Sequence, residues 1–323
     1  MKGLATVFGG SGFVGSQIVR ALAKRGHRVR VAVRRPGRAY RLRMLGDVGQ
    51  IEIVQANIRD EDSVARALDG AEACVNSVAV LYEAGGQTFD ALHVEGAGRV
   101  ALAAAAAGVA SFVHISAIGA DASSPSAYAR TKAAGEAATL SARPGAAILR
   151  PSVIFGPGDA FFNRFASMAT LAPALPLIGG GKTGFQPVFV GDVAAAAAQA
   201  LAEPGGVYEL GGPAVYTFEA LMRLMLEVID RRPALVTVPF GAARALGRIG
   251  DLMARIGLVP QLTSDQVELL RADNVAAAGV PGLAQLGVAP TAVEAIIPTY
   301  LYRYRKGGQY AEAIQAAVPA PAR

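Results

Sequence analysis

Between residues 9 and 15 the chain reads Gly-Gly-Ser-Gly-Phe-Val-Gly, and this stretch narrows the possible folds more than any other. Gly9, Gly12 and Gly15 keep a GxxGxxG spacing, and Gly10, Gly12 and Gly15 also satisfy GxGxxG. The apolar run at 4–8 predicts a strand, and the pattern over 13–25 predicts an amphipathic helix closed by Gly26. Strand, glycine turn and helix in that order let the backbone turn tightly and approach a pyrophosphate, whose charge the helix N-terminus stabilises. On this reading Gly9, Ser11, Gly12, Phe13, Val14 and Gly15 hold a dinucleotide. A glycine turn without a ligand is the plainer alternative, and the flanking strand and helix weigh against it.

The alternation continues through the first half of the chain. Residues 28–33, 51–55, 73–80, 111–116 and 146–150 predict further strands, with helices over 62–68, 89–107 and 127–141. Six strands with helices between them predict an α/β fold, a Rossmann-type doubly wound parallel sheet. After Phe155 helical patterns dominate, broken by Pro and Gly at 173, 176, 179–181, 204–206 and 211–213. The organisation expected is a nucleotide-binding domain over 1–155 and a smaller, mainly helical C-terminal lobe over 156–310, interleaved with it. A flexible tail over 311–323 follows. Helices are expected over 264–271 and 291–304, and Thr291 and Glu294 have capping-box spacing.

Twenty residues past the glycines, an acidic residue would mark a ribose with a free 2′-hydroxyl. Here the second strand ends Val33-Arg34-Arg35. A carboxylate would repel a 2′-phosphate, whereas guanidinium groups bind it bidentately, so Arg34 and Arg35 favour NADPH over NADH. Two arginines at a solvated strand end are the alternative. Asn57 and Ile58, in the loop 56–60, lie where the chain would pass the adenine.

Ser116 ends the fifth strand, and Tyr128 and Lys132 stand four apart at the start of the next helix, facing the same way. A nearby ammonium lowers a phenol's pKa from its usual ~10, so Tyr128 could exchange a proton near neutrality. Lys132 could also hold a nicotinamide ribose, and Ser116 could polarise a carbonyl. A packed tyrosine beside a solvated lysine would give the same spacing.

These residues resemble the short-chain dehydrogenase/reductase superfamily in its extended and atypical branch. Residues 149–157 (Leu-Arg-Pro-Ser-Val-Ile-Phe-Gly-Pro) and 186–193 (Gln-Pro-Val-Phe-Val-Gly-Asp-Val) agree. The resemblance implies that the first segment passes the nicotinamide at Pro151, and that Asp192 caps the helix after the second. Residues 161–166, 262–268 and 281–288 extend the likeness to about Arg305. There the chain is similar to NADPH-binding accessory subunits of respiratory complex I, the NADH:ubiquinone oxidoreductase, in a bacterial version. That resemblance implies a tightly held NADPH, a structural or assembly role where peripheral and membrane arms meet, and other complex I subunits as partners. It also implies a peripheral location on the cytoplasmic face of the inner membrane. Ser116, Tyr128 and Lys132 are all present, so catalysis stays open. The alternative is a free-standing NADPH-dependent reductase or epimerase acting on a sugar-nucleotide or isoprenoid-like carbonyl.

Composition limits the rest. One cysteine, Cys74, excludes a disulfide framework, and three histidines at no metal-ligand spacing predict no metal site. A net charge of +6 would suit nucleic acid, anionic lipid or an acidic protein, but no nucleic-acid motif is present and no such partner is expected. A first strand beginning by Leu4 leads to the expectation of no signal peptide, and no apolar run reaches a membrane span. Over 240–258, Arg244, Arg248 and Arg255 share a helical face with Asp251, opposite Phe240, Ala243, Leu246, Ile249, Met253 and Ile256. Such a helix can bury its stripe in the core, lie on an anionic membrane surface or dock on a partner. The basic, aromatic stretch 300–306 could likewise form an interface or pack back on the domain.

Overall fold

The computed structural model describes residues 2–310, so the tail expected over 311–323 lies outside the described residues. Parallel strands run from β1 (Lys2–Phe8) through β2 (His27–Val33), β3 (Ile51–Gln55), β4 (Ala73–Asn76) and β5 (Ser111–Ile115) to β6 (Ala147–Pro151). Between them come α1 (Phe13–Lys24), α2 (Glu61–Leu68), α3 (Gly96–Ala106) and α4 (Ala127–Ala142). The chain then leaves the sheet through β7 (Ile154–Phe155), α5 (Phe162–Leu171), β8 (Ala174–Ile178), β9 (Gly184–Phe185) and β10 (Val188–Phe189). It returns with α6 (Val190–Ala200) and β11 (Gly206–Leu210), the seventh strand, giving the order β11-β6-β5-β4-β1-β2-β3.

Both faces of the sheet are covered, which is why its strands are apolar on both sides. On β1, Ala5 and Val7 point to Ile18, Val19 and Leu22 of α1 and to Val193 and Ala197 of α6. Phe8 points the other way, to Val64 and Leu68 of α2 and Val100 and Ala104 of α3. The seventh strand was not among the six expected. Gly206–Leu210 is an ordinary strand by composition, but it follows a helix-rich stretch, and only its pairing with β6 declares it.

Three local expectations are corrected. The fourth strand stops at Asn76 rather than running to residue 80, because 77–80 turn out of the sheet. Residues 90–95 form a wide π-turn before α3, which carries His93 inward. The helix expected over 291–304 is split into α10 (Val293–Ile296) and α11 (Pro298–Leu301), where Pro298 removes a donor and crowds the preceding turn.

The lobe beyond residue 211 adds β12 (Tyr216–Thr217), α7 (Phe218–Val228), β13 (Ala234–Val238), α8 (Phe240–Arg255) and α9 (Ser264–Leu269) before α10. It has its own core, in which the rings of Phe161, Phe162, Phe165, Phe185 and Phe218 meet at 5.1–6.3 Å between centroids. The stretch 300–306 packs back on this core. Tyr300 is buried with its hydroxyl donating to Asp159 at 2.5 Å, and Tyr304 donates to Asn163 at 3.0 Å.

Helix α8 is oriented against the simplest expectation. Its small residues Ala243, Gly247, Gly250 and Ala254 face inward, against α9 and the chain leading into it. Asp251 accepts from the Ser264 backbone N–H at 3.2 Å and hydroxyl at 2.5 Å, and Arg244 pairs with Glu268 at 2.5 Å. The stripe of Leu246, Ile249, Leu252 and Ile256 faces outward, Ile249 59% and Ile256 69% exposed. A Cβ on Gly250 would lie 1.8 Å from the Leu262 carbonyl oxygen, so the close approach depends on glycine. Gly250→Ala is expected to lower the unfolding free energy by about 1–3 kcal/mol through overpacking, read by chemical denaturation. An unchanged midpoint would show that the contact yields freely.

Candidate nucleotide-binding site

The strand order reverses between β1 and β4, and their C-terminal ends part to leave a cleft of about 200 Å³. The glycine loop forms its floor. Gly9 has φ +76°, a left-handed conformation costly for other residues, and its carbonyl accepts the Gly12 N–H at 2.9 Å. A Cβ on Gly15 would lie 2.2 Å from that carbonyl oxygen, so only glycine lets α1 start so close to the turn. Among the described residues no side chain caps α1, and no carboxylate stands in its first turn, which leaves its N-terminal field open to an anion.

Gly9, Ser11, Gly12, Arg34, Asn57 and Ile58 line the cleft together, while Phe13, Val14 and Gly15 form the first turn of α1 beneath it. Ser77, Val78, Ala79, Val80 and Gln87 also line it, and these were not anticipated. Their apolar run looks like continued strand, and only the turn after Asn76 turns it into a wall. The Asn57 side-chain oxygen accepts the Arg59 N–H at 3.2 Å, which fixes the loop. A larger hollow of about 480 Å³, lined by Arg223, Glu227, Asp230, Arg231 and Arg232, lies elsewhere and has neither glycine loop nor strand ends.

At the strand end beside the cleft, the charges that act on Arg34 are positive. Arg34 is held below its usual pKa by burial, then by the neighbouring Arg59 and Arg35, and no carboxylate pairs with Arg34 or Arg35 among the described residues. Arg59 also donates to the Gly86 carbonyl at 2.5 Å, fixing the far rim. Mutual repulsion among cations is a cost that a bound dianion would relieve.

Ser116 and Lys132 are each bonded to other groups, and no hydrogen bond joins Ser116, Tyr128 and Lys132 to one another among the described residues. The Lys132 side chain, 1% exposed, donates from Nζ to the Ile115 carbonyl at 2.8 Å, and burial lowers its pKa to about 8 against the pull of Glu136. The Ser116 hydroxyl donates to Glu136, itself clamped by Arg150 at 2.6 and 2.9 Å, and Arg150 also reaches Glu209 at 3.5 Å. Tyr128 has its ring edge-on to His93 at 5.4 Å and Phe89 at 5.8 Å. Burial pushes its phenol up to about 12, and the Asp265 carboxylate adds to the rise. The lowering expected from Lys132 is thus reversed. Pro151 closes β6, where its carbonyl accepts the Ile118 N–H at 3.0 Å, and does not line the cleft.

Asp265 is the residue whose part could not be read from the sequence. From the start of α9 it accepts the Ser126 hydroxyl at 2.8 Å and the N–H groups of Ala127 at 2.6 Å and Tyr128 at 3.3 Å. It thereby caps α4, the helix bearing Tyr128 and Lys132, from 137–139 residues away. Asn274 likewise holds the 149–157 segment, its side-chain oxygen accepting the Ser152 hydroxyl at 2.7 Å and the Val153 N–H at 3.0 Å. Thr291 and Glu294 form no capping box. Thr291 donates to Asp192 at 2.7 and 2.9 Å, and Glu294 accepts from Tyr216. Asp192 lies within the first turn of α6 and does not cap it.

The chain belongs to the NAD dependent epimerase/dehydratase family, whose model matches residues 5–211. Family and cleft together make the ligand a nicotinamide dinucleotide. More narrowly, the chain is 36% identical to NADH dehydrogenase (ubiquinone) 1 alpha subcomplex subunit 9, mitochondrial, of Arabidopsis thaliana, over 94% of this chain and 79% of the relative. It is 31% identical to ceramide reductase of Caulobacter vibrioides over 81% of each. Among solved structures, triphenylmethane reductase of Citrobacter sp. complexed with NADP(H) shares the fold. Its TM-score is 0.71 at 20% identity, over 92% of this chain and 99% of that one.

Two measurements probe the polar interior. Arg150→Ala strands the buried Glu136 and Glu209 carboxylates and is expected to cost about 3–5 kcal/mol of stability, read by denaturation. A variant as stable as the parent would show that water replaces the guanidinium. Acid should act through the two buried imidazoles, His93 and His114, both held below their usual pKa by burial. At His93, Val80 N–H donates to Nε2 at 3.1 Å, so Nδ1 carries the proton and meets Thr131 Oγ1 at 3.2 Å. Burial, and then Lys132, lower its pKa to about 3. Unfolded histidine titrates near ~6.5, so between there and about 3 the unfolded state binds the extra proton. Stability therefore drops as pH is lowered through that window, by at most about 1.4 kcal/mol per unit from this group. His93→Gln should flatten the decline between pH 7 and pH 5, and equal acid sensitivity in parent and variant would contradict the assignment.

Proposed function

We propose that the chain is an accessory subunit of a bacterial NADH:ubiquinone oxidoreductase that holds NADPH as a resident group and does not turn it over. The carrying observation is a glycine-loop cleft at the strand switch point, lined by Gly9, Ser11, Gly12, Arg34, Asn57 and Ile58, in a chain whose Ser116 hydroxyl and Lys132 ammonium are engaged by Glu136 and Ile115 and whose Tyr128 phenol is hard to ionise. NADPH supplies a reducing hydride when bound; these residues supply its retention. Gly9, Ser11, Gly12, Phe13, Val14 and Gly15 take the pyrophosphate, Arg34 and Arg35 the 2′-phosphate, and Asn57 and Ile58 the adenine side. Tyr128, Lys132 and Pro151 are assigned to the nicotinamide end.

The name of the Arabidopsis relative supports membership of the oxidoreductase assembly. No helix among the described residues is long and apolar enough to cross a membrane. The outward stripe of α8, flanked by Arg248 and Arg255, supports peripheral attachment on the cytoplasmic face of the inner membrane.

The deciding experiment isolates the native respiratory complex and identifies nucleotide extracted from it. Co-purification of this chain with NADPH is expected, and a complex lacking the chain would overturn the subunit reading. Arg34→Ala with Arg35→Ala should weaken NADPH retention about 10–100-fold, the loss of charged hydrogen bonds, while leaving NADH affinity unchanged. Equal weakening of both nucleotides would place the 2′-phosphate elsewhere. The ceramide reductase relative favours a second reading, a free-standing reductase. That reading requires NADPH oxidation with a carbonyl substrate, abolished by Tyr128→Phe.

A further inference from the structure

The connection between β2 and β3 begins at the nucleotide cleft and continues well past it. Arg34, Arg35, Arg38, Arg41 and Arg43 fall within ten residues, and Asp47 is the single carboxylate before β3. The segment is firmly built. Ala39 and Leu42 are buried beneath it. The Gln50 amide donates to the carbonyls of Ala23 at 2.7 Å and His27 at 2.9 Å and accepts the Asp47 N–H at 2.8 Å. On this footing the outer side chains are left without hydrogen-bond or ion-pair partners among the described residues. Met44 is 81% exposed, with Tyr40 and Val48 exposed beside it, and Arg43 lies over the Tyr40 ring at 5.1 Å. No side-chain hydrogen bond or ion pair engages Arg35, Arg38 or Arg41 among the described residues.

We infer that this platform docks a protein partner whose face carries carboxylates around an apolar centre. Arginine, tyrosine and methionine are the side chains enriched in the cores of protein interfaces, and arginine grips a carboxylate with two parallel bonds. A surface already held in one shape loses little freedom on docking. The arrangement argues against lipid as the occupant. A membrane separates charged and apolar groups by depth, so a segment that lies on it carries them on separate faces. Here cation and apolar group interleave one by one along the segment, a pattern that only a surface with the same fine grain can match. The inference takes the identity of the assembly from the subunit reading, and the partner is then a neighbouring subunit with an acidic face.

The test uses the full chain in a strain lacking its gene, with the assembled oxidoreductase isolated natively. The platform variant carries Arg38→Glu, Arg41→Glu and Arg43→Glu; a control with the same charge change carries Arg20→Glu, Arg28→Glu and Arg66→Glu. Parent and control are expected in the complex at equal amounts. The platform variant should be at least tenfold depleted, yet recoverable unassembled with nucleotide bound, which shows that it is folded. In the parent background, the photoprobe p-benzoylphenylalanine in place of Tyr40 should label an acidic stretch of a subunit. Retention of the platform variant at the parental level, equal depletion of the control, or labelling of lipid instead of protein overturns the inference while leaving the subunit reading standing. Absence of the parent chain itself sinks both.

Discussion

The carboxylate of Asp265 ties the two halves of the molecule together at the place where chemistry would occur. The first turn of a helix presents N–H groups with no partners of their own, and α4 presents them toward the C-terminal lobe. One side chain from α9 takes two of them and the Ser126 hydroxyl. Three consequences follow from that contact. α9 is fixed over the start of α4, α8 is fixed through α9, and a negative charge is stationed beside Tyr128. The same bonds that assemble the lobe thus work against ionisation of the phenol.

Charge is handled in two opposite ways. Inside, it is matched: Glu136 and Glu209 share Arg150, and Glu209 also accepts the Ala277 N–H at 2.7 Å. Buried carboxylates so engaged contribute fixity, since losing any member strands the others. Along the β2–β3 connection the opposite holds, and arginines stand without carboxylate partners among the described residues. Solvent screens such charges over about 8–10 Å, so they cost little until a partner or phosphate approaches, and then they are available without first being released from other bonds.

Much of the fold was legible because it rests on local rules. The glycine spacing at 9–15, the apolar runs and the glycine closing α1 each have a cause within a few residues, and the cleft appears where they place it. Asn57 and Ile58 line that cleft as well. What escaped depends on distance in the chain. Nothing near Gly206–Leu210 announces that β6 is waiting for it, and nothing near Asp265 announces α4. Nor could spacing alone tell that Lys132 would turn to a backbone carbonyl, or that Ser116 would find Glu136. Tyr and Lys four apart fix a shared helical face; the hydrogen-bond partners are decided by what the sheet and the lobe bring up against it.

Helix α8 shows how a chain can separate what folds it from what it presents. Along its length the attachment uses residues with almost no side chain, so what holds it is backbone proximity, the Asp251 bonds to Ser264, the Arg244–Glu268 pair and the Phe240 ring at its start. None of the outward leucines or isoleucines is needed for that attachment. Substitution along the exposed face is therefore free to follow a changing neighbour without disturbing the protein's own interior, and the cost of such change falls on the assembly rather than on the fold.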